Sequence, residues 1–473
     1  MSGEKKNSVS VIHRGKTPLA TIFLLAWPTI IEQIMMTAVQ YADTIMVGSL
    51  GAYATASVSI NQSPTMLVNG LLISIGVGFT ALVARNIGAG NVEKAKMIIR
   101  QAMITVIIGG SLATALMLSL SSFVPRWMGA GEDVLPYAID YLYVVSAAML
   151  FRASVAIMGG VIRGAGDTKT PMLINIGVNI INVIGNYFLI YEPHDLTIFG
   201  ISLHIPGAGM GVVGAAIATS FSIAVGGTTM FVLLMIKRGP LKISLRDSFR
   251  ADKAILSEVF SIAIPAASER LAMSFAQVLQ TRLISSFGTI TLAAHHIVVT
   301  AESLSFMPGF GFATAATTLV GQSVGAKRID MAERFAYLTT KLSVTVMSTA
   351  GALLFIFARP LVSLFTNDQG VIEIAYRVLR IMAFAQPFFA ISMTIAGAMR
   401  GAGDTRTPFI VLACSMWTIR IGVAYSLVHI FNATIMGVWV CMACEVFIRS
   451  MLFLTMFRKG VWKKHAEKRM AKE

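Results

Sequence analysis

Apolar runs long enough to cross a lipid bilayer recur along this chain, and they restrict its possible folds more than any other feature. Segments 101–122, 137–162, 211–236 and 335–358 are examples. Each exceeds the roughly 20 residues that a helix needs to traverse about 30 Å of hydrocarbon. Water cannot satisfy peptide groups there, so only helices and closed barrels span a membrane. The alternating ten-residue segments of a barrel are absent, which leaves helices. The pattern predicts twelve of them, at 21–47, 54–84, 97–122, 137–162, 171–191, 211–236, 256–287, 292–320, 335–358, 371–399, 407–430 and 434–457. Charge content agrees: 13% of the 473 residues are Asp, Glu, Lys or Arg, about half the share of a soluble domain. The predicted fold is an all-α polytopic membrane protein.

The second constraint is an internal repeat. RGAGDTKTP at 163–171 and RGAGDTRTP at 400–408 share eight of nine residues at an offset of 237. The same offset aligns Pro28 with Pro265, Glu32 with Glu269, Gln40 with Gln277 and Gly51 with Gly288. It also aligns LVARNIGAG at 82–90 with LVGQSVGAK at 319–327. Several matches at one offset over more than a hundred residues are the mark of a duplication. Six spans per half is an even number, so the halves run parallel and are related by a pseudo-two-fold axis along the membrane normal. Beyond residue 210 the offset falls to 226, which places about eleven extra residues in the first half's 192–210 loop.

A net charge of +15 suggests nucleic acid until its distribution is examined. Of 38 Lys and Arg residues, 29 fall in 1–20, 85–100, 163–170, 237–253, 321–341, 400–406 and 458–473. These are alternate loops, whereas the intervening short loops hold only Arg126 and Arg359. Such asymmetry is the positive-inside pattern, with both termini in the cytoplasm and no role in binding nucleic acid. The first 20 residues lack the apolar core and small-residue cleavage site of a signal peptide. The expected organisation is a cytoplasmic segment at 1–20, a first lobe at 21–236, a basic linker at 237–255, a second lobe at 256–457 and a basic tail at 458–473.

The RGAGDT-T-P element has a local rationale. Gly164 and Gly166 permit a tight turn, Asp167 suits the cap of the next helix and Pro171 its first turn. Gly401, Gly403, Asp404 and Pro408 repeat the device. A helix–turn–helix hinge explains it better than direct contact with a substrate.

Ionisable residues within the spans are the candidates for function, because each is expensive in hydrocarbon. Asp43 has no basic residue within ten positions on either side. A carboxylate so placed suits proton uptake or cation binding; its plainer reading is a capped acid near a helix end. Asn182 and Asn186 lie one turn apart on one face, and Thr219 adds a hydroxyl. Neutral oxygens of this kind serve a weakly held Na⁺ or equally well join helices by hydrogen bonds. The second half is more charged, with Glu269 beside Arg270, then Arg282, His295, His296, Glu302, Arg420, Glu445 and Arg449. Glu445 and Arg449 are spaced to pair along one helix face. Met36, Gln40, Glu269, Gln277, Arg282 and Glu302 are the candidate lining of a substrate cavity. Cys441 and Cys444 form one Cys-x-x-Cys without a second pair, and no nucleophile–base arrangement stands out, so neither metal site nor enzyme is expected.

ADTIMVG at 42–48, the two RGAGDT-T-P elements and the two six-helix halves together resemble the MATE family of multidrug and toxic compound extrusion transporters, over essentially the whole chain. The Pro-x-x-x-Glu opening of each half resembles the bacterial DinF-like side of that family. The resemblance implies a V-shaped pair of lobes in the plasma membrane, acting as a monomer without a cofactor. It implies secondary active export of amphipathic drugs or organic cations by alternating access, in exchange for H⁺ or Na⁺. Asp43 matches the family's coupling carboxylate, and Asn182, Asn186 and Thr219 match the other members of its first-lobe cation site. Archaeal members carry aspartate at the position of Asn186, and the second-lobe glutamate of other branches aligns with Met273. One remaining carboxylate favours H⁺ over Na⁺. The alternative is a lipid-linked or polysaccharide flippase of the same superfamily, for which a more consistently cationic cavity is expected.

Overall fold

The computed structural model describes residues 10–13, 17–198, 201–236, 241–244, 249–431 and 433–470. Most of the expected N-terminal segment, part of the basic linker and the end of the basic tail lie outside the described residues. The first lobe contains α1 (Pro18–Gly48), α2 (Ala52–Gly88), α3 (Val92–Leu120), α4, α5 (Lys169–Ile190) and α6 (Gly211–Ile236). Here α4 is the pair Leu135–Ala147 and Met149–Gly164, bent by 47° at Ala148. The second lobe contains α7 (Lys253–Ser285), α8 (Thr289–Gly325), α9 (Ile329–Ile356), α10 (Gln369–Gly401), α11 (Arg406–Phe431) and α12 (Ile435–Arg458).

Ten of these helices are individually long and apolar enough to cross a membrane, and the bent α4 makes an eleventh. The twelfth, α7, has 33 residues but is diluted by Glu258, Glu269, Arg270 and Arg282. Its polar content foreshadows its place between the lobes. Near the middle of α11, residues Met416–Val423 widen into a π-helical segment.

The extra residues that the first half carries in its 192–210 loop include β1 (His194–Ile198) and β2 (Ile201–Ile205), which form an antiparallel hairpin between α5 and α6. An inserted loop outside the apolar spans is free to pair its own peptide groups in this way.

The repeated turn forms as its residues dictate. Gly166 and Gly403 take φ of +85° and +89°, a region costly for any residue with a Cβ. The Asp167 carboxylate accepts from the Thr170 amide at 3.0 Å, and Asp404 accepts from the Thr407 amide at 3.0 Å. Gly164 and Gly401 serve differently from the tight turn expected of them. Both are helical, and a Cβ at either would overlap the carbonyl oxygen of Thr80 or Thr317 on the neighbouring helix.

The lobes join at the end that carries the basic loops, and each inserts the base of its first helix into the other. Ile22, Leu25 and Ala26 of α1 pack with Phe312, Ala315 and Leu319 of α8 and Phe335 of α9. Ile255, Val259 and Ile262 of α7 pack with Leu82 of α2, Ile98 of α3 and their neighbours. Ile22 and Val259, Leu25 and Ile262, and Leu82 and Leu319 are repeat mates, so one apolar contact is made twice. Between them α2 and α8 cross at Gly88 and Gly325, which are also 237 residues apart. A Cβ on Gly88 would overlap the Gln322 carbonyl, and one on Gly325 the Arg85 carbonyl. The pseudo-two-fold axis runs between these glycines. Toward the opposite end the lobes diverge, and Met36, Gln40, Tyr41 and Thr44 of α1 are exposed there.

Candidate functional site

In the first lobe α1, α5 and α6 bring the expected coupling residues together. The Asn186 amide donates to the Asp43 carboxylate at 2.6 Å, and the Asn182 amide donates to the Thr219 hydroxyl at 3.1 Å. Asn182 and Asn186 are 4% and 1% exposed, so these groups have been withdrawn from solvent. Each asparagine uses its N–H₂ for the bond described, which leaves the side-chain oxygens of both without a hydrogen-bond partner in the protein. Buried polar atoms are nearly always satisfied, and an acceptor left open asks what it accepts from. The bonds form two polar pairs, Asp43 with Asn186 and Asn182 with Thr219, whose asparagines lie one helical turn apart on α5 and each keep an open amide oxygen. Oxygen donors of this kind suit a proton or a hard cation.

Two neighbours were not singled out from the sequence. Tyr141 and Arg152 come from the two limbs of the bent α4; Tyr141 is within electrostatic reach of Asp43 on one side and of Arg152 on the other. The Arg152 Nε is buried and unpartnered. The sequence signal was present, since Arg152 is one of the few basic residues inside a span, but only the folded α4 sets Arg152 beside Tyr141 and Tyr141 within reach of Asp43.

The second lobe fills the equivalent space with a charged network. Gln280, the repeat mate of Asp43, is buried against the Met442 sulfur. Glu445, the mate of Thr219 at offset 226, accepts from Arg420 at 2.7 Å and Ser415 at 2.8 Å, with Arg449 at 3.4 Å. The pairing of Glu445 with Arg449 matches the i,i+4 spacing; Arg420 reaches the same carboxylate from the π-helical segment of α11. One carboxylate held by two arginines is already neutralised, so this site is not the counterpart of the Asp43–Asn186 pair, whose amide oxygen is open.

The six candidate cavity residues separate. Met36, Gln40, Gln277 and Arg282 are exposed, whereas Glu269 and Glu302 are buried inside the second lobe. Glu269 is held by Arg400 at 2.5 Å, and Glu302 accepts from Gln386 at 3.3 Å. His295 is buried against Trp439, with ring centroids 5.2 Å apart, while His296 is exposed.

Glu32 accepts from Arg163 at 3.1 Å and from Asn175 at 2.6 Å. The arginine that opens each RGAGDT element thus pairs with the glutamate of the Pro-x-x-x-Glu opening of the same lobe. The shared offset of 237 on both acid and base is the sequence signal for this pairing, and neither motif carries it alone.

Comparison with known proteins agrees with this architecture. A MatE family profile matches residues 28–188 and 265–426, once in each lobe. A probable multidrug resistance protein NorM from Thermotoga maritima is 30% identical over 93% of this chain and 92% of its own length. An uncharacterized transporter YisQ from Bacillus subtilis is 26% identical over 93% of this chain and 94% of its own. The outward-facing structure of a multidrug resistance MATE family transporter of the MOP superfamily superposes with a TM-score of 0.88 at 25% identity, covering 98% of this chain and 100% of the other. The duplicated six-helix lobes, their crossing at Gly88 and Gly325 and these matches lead to one assignment: the chain belongs to the MatE family and is a MATE-family membrane transporter.

Proposed function

We propose that this protein is a secondary active multidrug efflux transporter of the plasma membrane, exporting amphipathic or cationic drugs in exchange for H⁺ or Na⁺. The observation that carries the proposal is the two pairs Asp43–Asn186 and Asn182–Thr219, with their two unpartnered buried amide oxygens. A coupling ion drives transport only if its affinity differs between conformations. The pairs meet this condition in a simple way. Asp43 comes from α1, whose base packs into the second lobe, while Asn182, Asn186 and Thr219 come from α5 and α6 of the first. A movement of the lobes about their crossing that displaces α1 separates the Asp43 carboxylate from the Asn186 amide. Cation or proton capture then favours the arrangement described here, and release favours the other.

Orientation follows from the charge asymmetry: the joined end carries the basic loops, so it is the cytoplasmic end, and the cleft opens outward with both termini inside. With one carboxylate in the two pairs, a single proton neutralises it, which favours H⁺.

The test is ethidium export from proteoliposomes under an imposed H⁺ or Na⁺ gradient. Asp43→Asn should abolish gradient-driven export while leaving the protein folded. Wild-type rates in that variant would overturn the assignment of Asp43, and indifference of the unaltered protein to both gradients would overturn antiport.

A further inference from the structure

Two polar stripes related by the duplication face the cleft between the lobes. On α1 they are Gln33, Thr37, Gln40 and Thr44; their mates on α7 are Arg270, Ser274, Gln277 and Thr281. The spacing of four, three and four residues keeps each set on one helix face. All eight are exposed or half-buried. The α1 stripe meets the second lobe, since the Thr37 hydroxyl lies 3.7 Å from the Met307 sulfur and the adjacent Tyr41 hydroxyl 3.5 Å from Ser303. The α7 stripe meets the first lobe, since a Cβ on Gly70 of α2 would stand 3.4 Å from the Arg270 Cδ.

The stripes differ in one charge. Seven of the eight side chains are neutral, and Arg270 replaces Gln33. Among the described residues Arg270 makes no ion pair and no hydrogen bond. The charges near enough to act on it are Glu269 and Arg400, and these already hold each other at 2.5 Å. Glu269 is its neighbour in sequence, but successive helical side chains point about 100° apart, and Glu269 is turned into the lobe. Arg270 also sits at the midpoint of α7, about 26 Å of helical rise from Lys253, so it cannot extend to either membrane surface. An unpaired guanidinium at that depth is tolerated where it faces a water-filled cleft, and its presence there marks a substrate pathway. The scaffold does not demand it, because the same position in the first lobe is filled by glutamine.

We propose that Arg270 receives a carboxylate or similar planar oxyanion of the transported compound, so that the cleft takes zwitterionic or anionic amphipaths. The guanidinium presents parallel N–H donors that match such a group two at a time. Ser274 and Gln277, on the next turns of the same face, supply neutral donors and acceptors for the rest of the molecule. Met36 and Met273, both exposed beside the stripes, supply adaptable apolar surface. This assignment rests on the efflux reading for its physiological meaning, but the binding site is testable without transport.

Equilibrium dialysis of the purified protein against norfloxacin and norfloxacin methyl ester provides the test. The two probes differ only in whether the carboxylate is free. The unaltered protein should hold the acid roughly tenfold or more tighter than the ester, as expected for a hydrogen bond to a charged partner. Arg270→Gln should bring the ratio of the two affinities close to one, and Arg270→Lys should keep part of the preference. Equal or tighter binding of the ester by the unaltered protein, or an undiminished ratio in Arg270→Gln, overturns the proposal. Ethidium export by the unaltered protein is measured in parallel: its absence with the acid preference intact counts against efflux and leaves the site standing.

Discussion

Glu32 and Arg163, 131 residues apart in sequence, meet at 3.1 Å inside the first lobe, and Glu269 and Arg400, separated by the same interval, meet at 2.5 Å inside the second. Each pair ties the first helix of a lobe to the end of its fourth. All four side chains are largely removed from solvent. Removing one member of such a pair strands the other, which costs about 3–5 kcal/mol. Glu32→Ala and Glu269→Ala should therefore each lower the thermal unfolding temperature in detergent markedly. The exchanged double variant Glu269→Arg with Arg400→Glu should recover part of the loss. Unchanged unfolding in the single variants would mean that the pairs do not stabilise their own lobes.

Glu445 should be less tolerant still. It is fully buried and holds Arg420 and Arg449 at once. Glu445→Ala leaves two guanidiniums facing each other without a counter-ion, and loss of folded protein on purification is the expected result. Replacing Glu445, Arg420 and Arg449 together by apolar residues of similar size should restore much of the yield. A stable Glu445→Ala protein would contradict the structural role.

The Asp43–Asn186 pair admits a gain as well as a loss. Asn186→Asp sets a second carboxylate beside Asp43, where the two repel unless a cation lies between them. The variant should unfold at a temperature that rises with Na⁺ concentration more steeply than the unaltered protein does, because a ligand that binds only the folded state stabilises it. A response to Na⁺ no greater than that of the unaltered protein would show that the open asparagine oxygens are not arranged around a cation.

The crossing of α2 and α8 should be sensitive to a single methyl group. Gly325→Ala overlaps the Arg85 carbonyl, a backbone atom that cannot swing aside. The joined end must open, so the variant should populate the conformation in which the cleft is open at the basic end. A cysteine-accessibility or spin-label distance measurement between α2 and α8 checks this, and an unaltered separation would sink it.

Much of this was legible without coordinates. The apolar runs, the offset of 237 and the alternation of basic loops identify twelve helices in two parallel lobes, because length, periodicity and charge are local properties. The candidates of the first lobe were legible for a related reason: Asp43, Asn182 and Asn186 are polar residues where polarity is expensive. The pairing of Glu32 with Arg163 was half legible, present as a shared offset but not recoverable from either motif alone. The hairpin in the inserted loop lay beyond the reach of hydropathy, which reports only on what must avoid water.

What the sequence alone determined, then, is which segments cross the membrane and which residues are too polar to be there without a reason. What the tertiary structure decided is the answer to each of those residues. Glu269 and Arg270 are adjacent in the chain and equally costly in lipid, yet one is neutralised inside its lobe by Arg400 and the other stands unpaired in the cleft. Nothing in their order distinguishes them. The 100° turn between successive helical side chains does, and only the packing of one lobe against the other determines what each of them meets.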